Sequence, residues 1–76
     1  MPSDWKPMKT IGSGVAEIRI RGRIEHRIIY VAKFDEAIYV LHAFQKKSQR
    51  TPKADIDLAK SRLQELKALR RRRKED

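Results

Sequence analysis

The sequence predicts an α+β domain in which a three-stranded antiparallel sheet is followed by one C-terminal amphipathic helix. Three observations predict it. In "VAEIRIR", Ile18 and Ile20 alternate with Glu17, Arg19 and Arg21, the period of two that marks a half-buried strand. Two further runs rich in β-branched and aromatic residues, "HRIIYVAKF" and "AIYVLHAFQ", are separated only by Asp35 and Glu36. Ile56, Ala59, Leu63, Leu66 and Leu69 then recur at spacings of three and four, the apolar stripe of a helix.

Taken in order, residues 1–14 hold two of the three prolines and two of the three glycines, and read as an irregular lead-in ending in a turn at Gly12–Gly14. Trp5, Met8 and Ile11 in this segment are expected to lay apolar cover over the domain. Residues 15–47 form the meander, antiparallel because its connections are too short for crossovers. Its middle strand, His26 to Phe34, is apolar enough to predict burial on both faces. Thr51 and Pro52 start the helix, with Thr51 as the capping hydroxyl and Pro52 at the first helical position. The helix runs over 51–73; Asp55 and Asp57 suit its positive end, and the run Arg70 to Lys74 suits its negative end.

At 76 residues the chain is a single domain, 1–76, with a thin core, which favours help from a partner or a second copy. It has no cysteine, so a disulfide framework and Cys-based metal sites are excluded. The longest apolar run, around Ala37 to Phe44, falls far short of the roughly 18 residues that span a membrane, and the N-terminus lacks a signal peptide's apolar centre. A cytoplasmic location and no membrane partner are expected. A net charge of +9 attracts polyanions, of which nucleic acid is the commonest in the cytosol.

The segments "DWKPMKTIGSGVAEIRIR" and "RIIYVAKFDEAIYVLHAFQKKSQRTPKADIDLAKSRLQEL", about Asp4 to Leu66, closely resemble the phage-derived, HigB-like branch of the RelE toxin superfamily. The run "IYVLHAFQKKSQRTP" ahead of the helix is the most specific element. The resemblance implies a shortened RelE-like fold, since relatives usually begin with a strand and a helical hairpin that precede this match. It implies the toxin of a type II toxin–antitoxin system: a ribosome-dependent mRNA endoribonuclease neutralised by a helix-turn-helix antitoxin. The partners implied are that antitoxin, the ribosome and mRNA, and apolar sheet surface left without cover adds a homodimer. The alternative is a shortened, non-catalytic relative acting as an antitoxin-, partner- or RNA-binding module.

Such cleavage deprotonates the 2′-oxygen, stabilises the extra charge of the phosphorane and protonates the 5′-oxygen, work in which preorganised cations serve well. The resemblance maps Arg19, Arg27 and Lys47 onto basic active-site positions, with Lys46 beside them; Arg21, Arg50 and Lys53 are candidates for RNA binding. Each also has a plainer reading, as a solvated cation on a strand face or at a strand end. Glu17 stands where relatives carry a lysine. His42 shares strand parity with Val40 and Phe44 and reads first as a hydrogen-bonded core histidine, while His26 sits at a turn edge. Trp5, Tyr30 and Tyr39 pack or stack on bases. Neither histidine has metal-ligand spacing to a second one or to a carboxylate, so no metal or other cofactor is expected.

Overall fold

The structure, a computed structural model, describes residues 4–45 and 50–75. Four strands and one helix follow in order: β1 (Trp5–Pro7), β2 (Val15–Ile20), β3 (His26–Val31), β4 (Tyr39–Gln45) and α1 (Lys53–Glu75). The strands form an antiparallel sheet in the order β1-β2-β3-β4. The three-stranded expectation is therefore corrected to four, because the lead-in contains β1. Three residues ending in a proline give no readable alternation. Pro7 is tolerated because β1 is an edge strand, where a missing N–H costs no ladder bond. Asp4 and Met8 extend the pairing: Arg19 donates its N–H to the Asp4 carbonyl at 2.8 Å, and Met8 donates to the Val15 carbonyl at 2.9 Å.

The core lies on one face of the sheet. There Val15, Ile29, Val31 and Leu41 pack with Met8 and Ile11 of the lead-in and with Ala59 and Leu63 of α1. Met8 and Ile11 supply the cover expected of them, whereas Trp5 lies exposed on the other face, in register with Ile18. Gly12 lies under the helix: a Cβ there would come 2.6 Å from Leu63 Cδ2. Gly14 has φ +77°, and a Cβ there would meet Lys33 Cβ at 2.7 Å, so the turn into β2 requires glycine twice over. Strand β3 alternates, with Arg27, Ile29 and Val31 buried and His26, Ile28 and Tyr30 less so. It is thus covered on one face only, which corrects the expectation of two.

A register shift in β4 opposite Ile29 and Tyr30 changes which residues share a face. Val40 opposes Tyr30 and His42 opposes Ile29, so Leu41 is an extra residue, a bulge. His42 consequently shares a face with Phe44, its ring stacked on the phenyl at 5.0 Å, but not with Val40.

Helix α1 begins one residue after Pro52, whose carbonyl accepts from the N–H groups of Asp55 and Ile56, both at 3.1 Å. Pro52 therefore occupies the capping position rather than the first turn. Ile56, Ala59, Leu63 and Leu66 face the core as the spacing predicts. Leu69 is half-exposed, and Arg70 takes the next inward position instead. Its guanidinium lies 3.7 Å from the Phe34 ring centroid and donates to Glu36 at 2.6 and 3.1 Å, fastening the helix to the β3–β4 turn. The side chain at the head of the basic run is thus a structural clasp.

Arg70 and the Tyr39 hydroxyl, which donates to Glu36 at 3.0 Å, hold the Glu36 carboxyl down at about 2, from an ordinary 4.5. A carboxylate whose acidity rises on folding stabilises the fold above its unfolded value and loses that contribution as pH falls through its folded one. Acid should therefore weaken the clasp between about pH 4.5 and 2. The Glu36→Gln variant is expected to show a flatter fall in Tm across that window; parallel falls in parent and variant would remove Glu36 from the acid response.

Candidate functional site

The pairing registers set two rows of side chains on the helix-bearing face, near the ends of the strands where α1 begins. One row is Arg19, Arg27 and Phe44; the next is Lys6, Glu17, Ile29 and His42. The alternation of "EIRIR" delivers Glu17 and Arg19 to the same face, and the antiparallel register puts Arg19 directly opposite Arg27.

Arg27 is fully buried. Its Nη1 donates to Glu17 Oε1 at 2.8 Å and to Thr51 Oγ1 at 3.1 Å, and the Thr51 hydroxyl donates in turn to Glu17 Oε2 at 2.7 Å. This closed triangle ties β2 and β3 to the residue that precedes the helix cap, so Thr51 serves here as a link between layers. Lys6 Nζ lies 3.8 Å from Glu17 Oε1, and Glu25 Oε2 lies 3.7 Å from Arg27 Nε.

Arg19 differs from its neighbour. It is half-buried, and its guanidinium makes no hydrogen bond or ion pair with any of the described residues. Cross-strand positions directly opposite one another disfavour like charges, and Glu17 is already engaged by Arg27 and Lys6. The described part of the cluster thus sets three cations, Lys6, Arg19 and Arg27, against two carboxylates, Glu17 and Glu25, with the surplus charge at Arg19.

His42 sits beside this cluster. Its Nε2 is 2.6 Å from Asp55 Oδ1, and its Nδ1 is 3.4 Å from Arg62 Nη1, which also donates to the Leu41 carbonyl at 2.9 Å. Guanidinium can only donate, so Nδ1 accepts and Nε2 carries the proton shared with Asp55. The expected hydrogen-bonded histidine is found, and its bonds lock α1 to β4.

Of the other sequence candidates, Arg21 stands exposed at the end of β2, its Nε donating to Asp4 Oδ1 at 2.8 Å. Arg50 is exposed beside Thr51, and Lys53 is exposed at the first residue of α1. Lys46 and Lys47 lie outside the described residues, between the end of β4 and Arg50. The structure therefore sets Arg19 directly opposite Arg27, and gives them different environments. Thr51 and Lys6 were missed as members of the cluster; for Lys6 the only signal was a cation two residues after Asp4 in a segment without readable periodicity. Among the described residues no group of three His, Asp or Glu side chains is placed to hold a metal ion, and no helix is long and apolar enough to cross a membrane.

The family described as Phage derived protein Gp49-like (DUF891) matches residues 1–64, which span every strand, the whole basic cluster and the first half of α1. The chain belongs to this family. Gp49-like proteins form a RelE-like toxin family, associated with the toxins of toxin–antitoxin systems. No curated protein and no solved structure matches the chain. In this Gp49-like protein, the cluster sets the half-buried guanidinium of Arg19 beside the fully buried one of Arg27.

Proposed function

We propose that this chain is the toxin of a type II toxin–antitoxin pair, an endoribonuclease of HigB-like type that acts on mRNA at the ribosome and is neutralised by a helix-turn-helix antitoxin. The observation that carries the reading is Arg19: a half-buried guanidinium without a described carboxylate partner, directly opposite another arginine. A phosphodiester seated there would supply the missing negative charge. In a partly dry site, Arg19 would stabilise the dianionic phosphorane as the 2′-oxygen bonds to phosphorus and the 5′-oxygen leaves. Arg27, held by Glu17 and Thr51, would fix the floor against which Arg19 is aimed. Lys46 and Lys47, which follow β4 directly, join the reading by resemblance, as do Arg21, Arg50 and Lys53 as RNA contacts.

A second reading has its own support. Arg27 is fully buried, both Glu17 oxygens are engaged, and both ring nitrogens of His42 have partners, so none of these groups is free to move a proton. On this reading the chain binds RNA or an antitoxin without cutting.

Induced expression in a bacterial host, following growth and mRNA 5′ ends, separates the two. The parent is expected to arrest growth and to generate ends inside translated codons. Arg19→Ala should lower cleavage about 10²-fold at equal protein level, the scale of losing one preorganised donor to a developing oxyanion. Unchanged cleavage in Arg19→Ala would remove it from the site. Soluble, folded parent that neither arrests growth nor cuts would sink catalysis and leave the binding module, whose RNA affinity should fall steeply with salt.

A further inference from the structure

Helix α1 carries a row of cations that the fold does not use. At about 3.6 residues per turn, Lys53, Lys60, Lys67 and Arg71 fall within about 40° of one another around the axis, on the flank that borders the core stripe at Ile56 and Leu63. Asp55 and Arg62 hold the opposite flank against His42. Lys53, Lys60 and Arg71 are exposed and Lys67 is half-buried, and none of the four side chains makes a hydrogen bond or ion pair with any of the described residues.

The ordinary reasons for cations on a helix do not account for this row. The helix dipole favours them only in the last turn, which covers Arg71 at most, and disfavours Lys53 in the first. Pairing along the helix fails as well. Asp57 follows Lys53 by four residues and precedes Lys60 by three, spacings at which opposite charges meet, yet both lysines stay unpaired. Lys67 and Arg71, four apart, repel each other. The row therefore costs α1 stability, and no described residue supplies its counter-charge.

We infer that this flank is a docking ridge for the phosphate backbone of a nucleic-acid double helix, separate from the Arg19 cluster. The row is straight and about 27 Å long, with steps of about 10.5 Å from Lys53 to Lys60 and on to Lys67. A duplex carries a charge about every 1.7 Å of its axis, so such a row meets phosphates whatever the base sequence. Single strands are held in grooves where bases stack on aromatic rings, whereas α1 is convex and has no aromatic residue. A double helix needs neither, since its phosphates and its shape are what a protein reads. Between the cations the flank offers only Gln64, without the apolar anchor on which a protein interface centres. Lys67 and Arg71 lie beyond matched residues 1–64, so the ridge extends past the part that the family describes. It operates whether or not the chain cuts RNA.

Fluorescence anisotropy on the full chain, over a series of salt concentrations, tests this with a short RNA duplex, a DNA duplex of the same sequence and one of the single strands. The parent is expected to bind duplex more tightly than single strand, with log Kd rising against log salt at a slope of about 3–4, near 0.9 for each phosphate contact. Lys60→Gln combined with Lys67→Gln should lower that slope by about 2 and weaken duplex binding roughly tenfold. Arg23→Gln combined with Arg73→Gln removes the same charge from exposed positions off the ridge and should leave the slope unchanged. Should the lysine pair misfold by circular dichroism, Lys53→Gln with Arg71→Gln takes its place. Equal affinity for the two duplexes would identify the phosphates alone as what is read, and a preference between them would add groove shape or the 2′-hydroxyl; either supports the ridge. Equal losses in the on-ridge and off-ridge pairs, a single strand bound as tightly as the duplexes, or polyglutamate bound as tightly as either, overturns it. The readout is binding with no ribosome present, so the ridge and the toxin reading fail separately.

Discussion

Replacing Arg27 with methionine is expected to unfold most of the protein at body temperature. The substitution removes one member of a pair with no solvent exposure and leaves the interior Glu17 carboxylate only the Thr51 hydroxyl and the more distant Lys6. Breaking a buried pair from one side costs about 3–5 kcal/mol. A chain of this length has only about 4–11 kcal/mol in total, at the usual stability per residue. Glu17→Met should be comparably severe, since it leaves a buried guanidinium. The double variant, with methionine at both positions, should recover most of the loss, because an apolar pair of similar volume needs no counter-charge. Urea unfolding of the two single variants and the double one measures this coupling. Singles within about 1 kcal/mol of the parent would show that the pair is not desolvated; a double variant as unstable as the sum of the singles would show that the two charges do not depend on each other. The result bears on function as well. Loss of toxicity in an Arg27 variant would report a missing fold before a missing catalyst, which is why Arg19 is the substitution that interrogates chemistry.

Leu63→Ala carries the second large effect. Leu63 is 1% exposed and fills the space over Gly12 at the point where α1 meets both the lead-in and the sheet. Truncation should cost about 2–5 kcal/mol, transfer and cavity together, since Gly12 has no side chain with which to fill the gap. Leu69→Ala, at a position 50% exposed on the same helix, should stay within about 0.5 kcal/mol of the parent. Denaturation followed by helical circular dichroism distinguishes them. Equal midpoints for the two variants would mean that the stripe through Ala59 and Leu63 does not hold the helix to the sheet.

Strand β2 and the inward stripe of α1 were legible because each shows its period over six residues or more, and β4 was legible through its β-branched and aromatic content. The short β1 was not, because a three-residue edge strand closed by proline lies below the length at which alternation can be read. The one-sided burial of β3 was hidden for a different reason. "RIIYV" is apolar at even and odd positions alike, and local sequence cannot show whether another layer covers the second face. At the candidate site, antiparallel pairing brings Arg27 toward the arginines of β2, and the observed register sets it opposite Arg19 rather than Arg21. The triangle through Thr51 was not legible, because it joins β2 to a residue 34 positions later, a distance no local pattern records. The burial of Arg27 is the same kind of fact, since a cation in a strand reads as solvated until its carboxylate is found across the ladder.

The bulge at Leu41 has a genetic counterpart. On either side of it the ladder is regular, with His42 opposite Ile29 and Val40 opposite Tyr30, so loss of the Leu41 codon alone would bring those two stretches into unbroken register. Such a deletion would remove a core side chain and the carbonyl that receives Arg62, yet leave every other residue of β4 on its present face. Loss of a codon at Ala43 or Phe44 would instead exchange the two faces for whatever remained on one side of it. Sidedness in this strand therefore has a reading frame of its own, and Leu41 is the position at which that frame can be shortened without inverting the message.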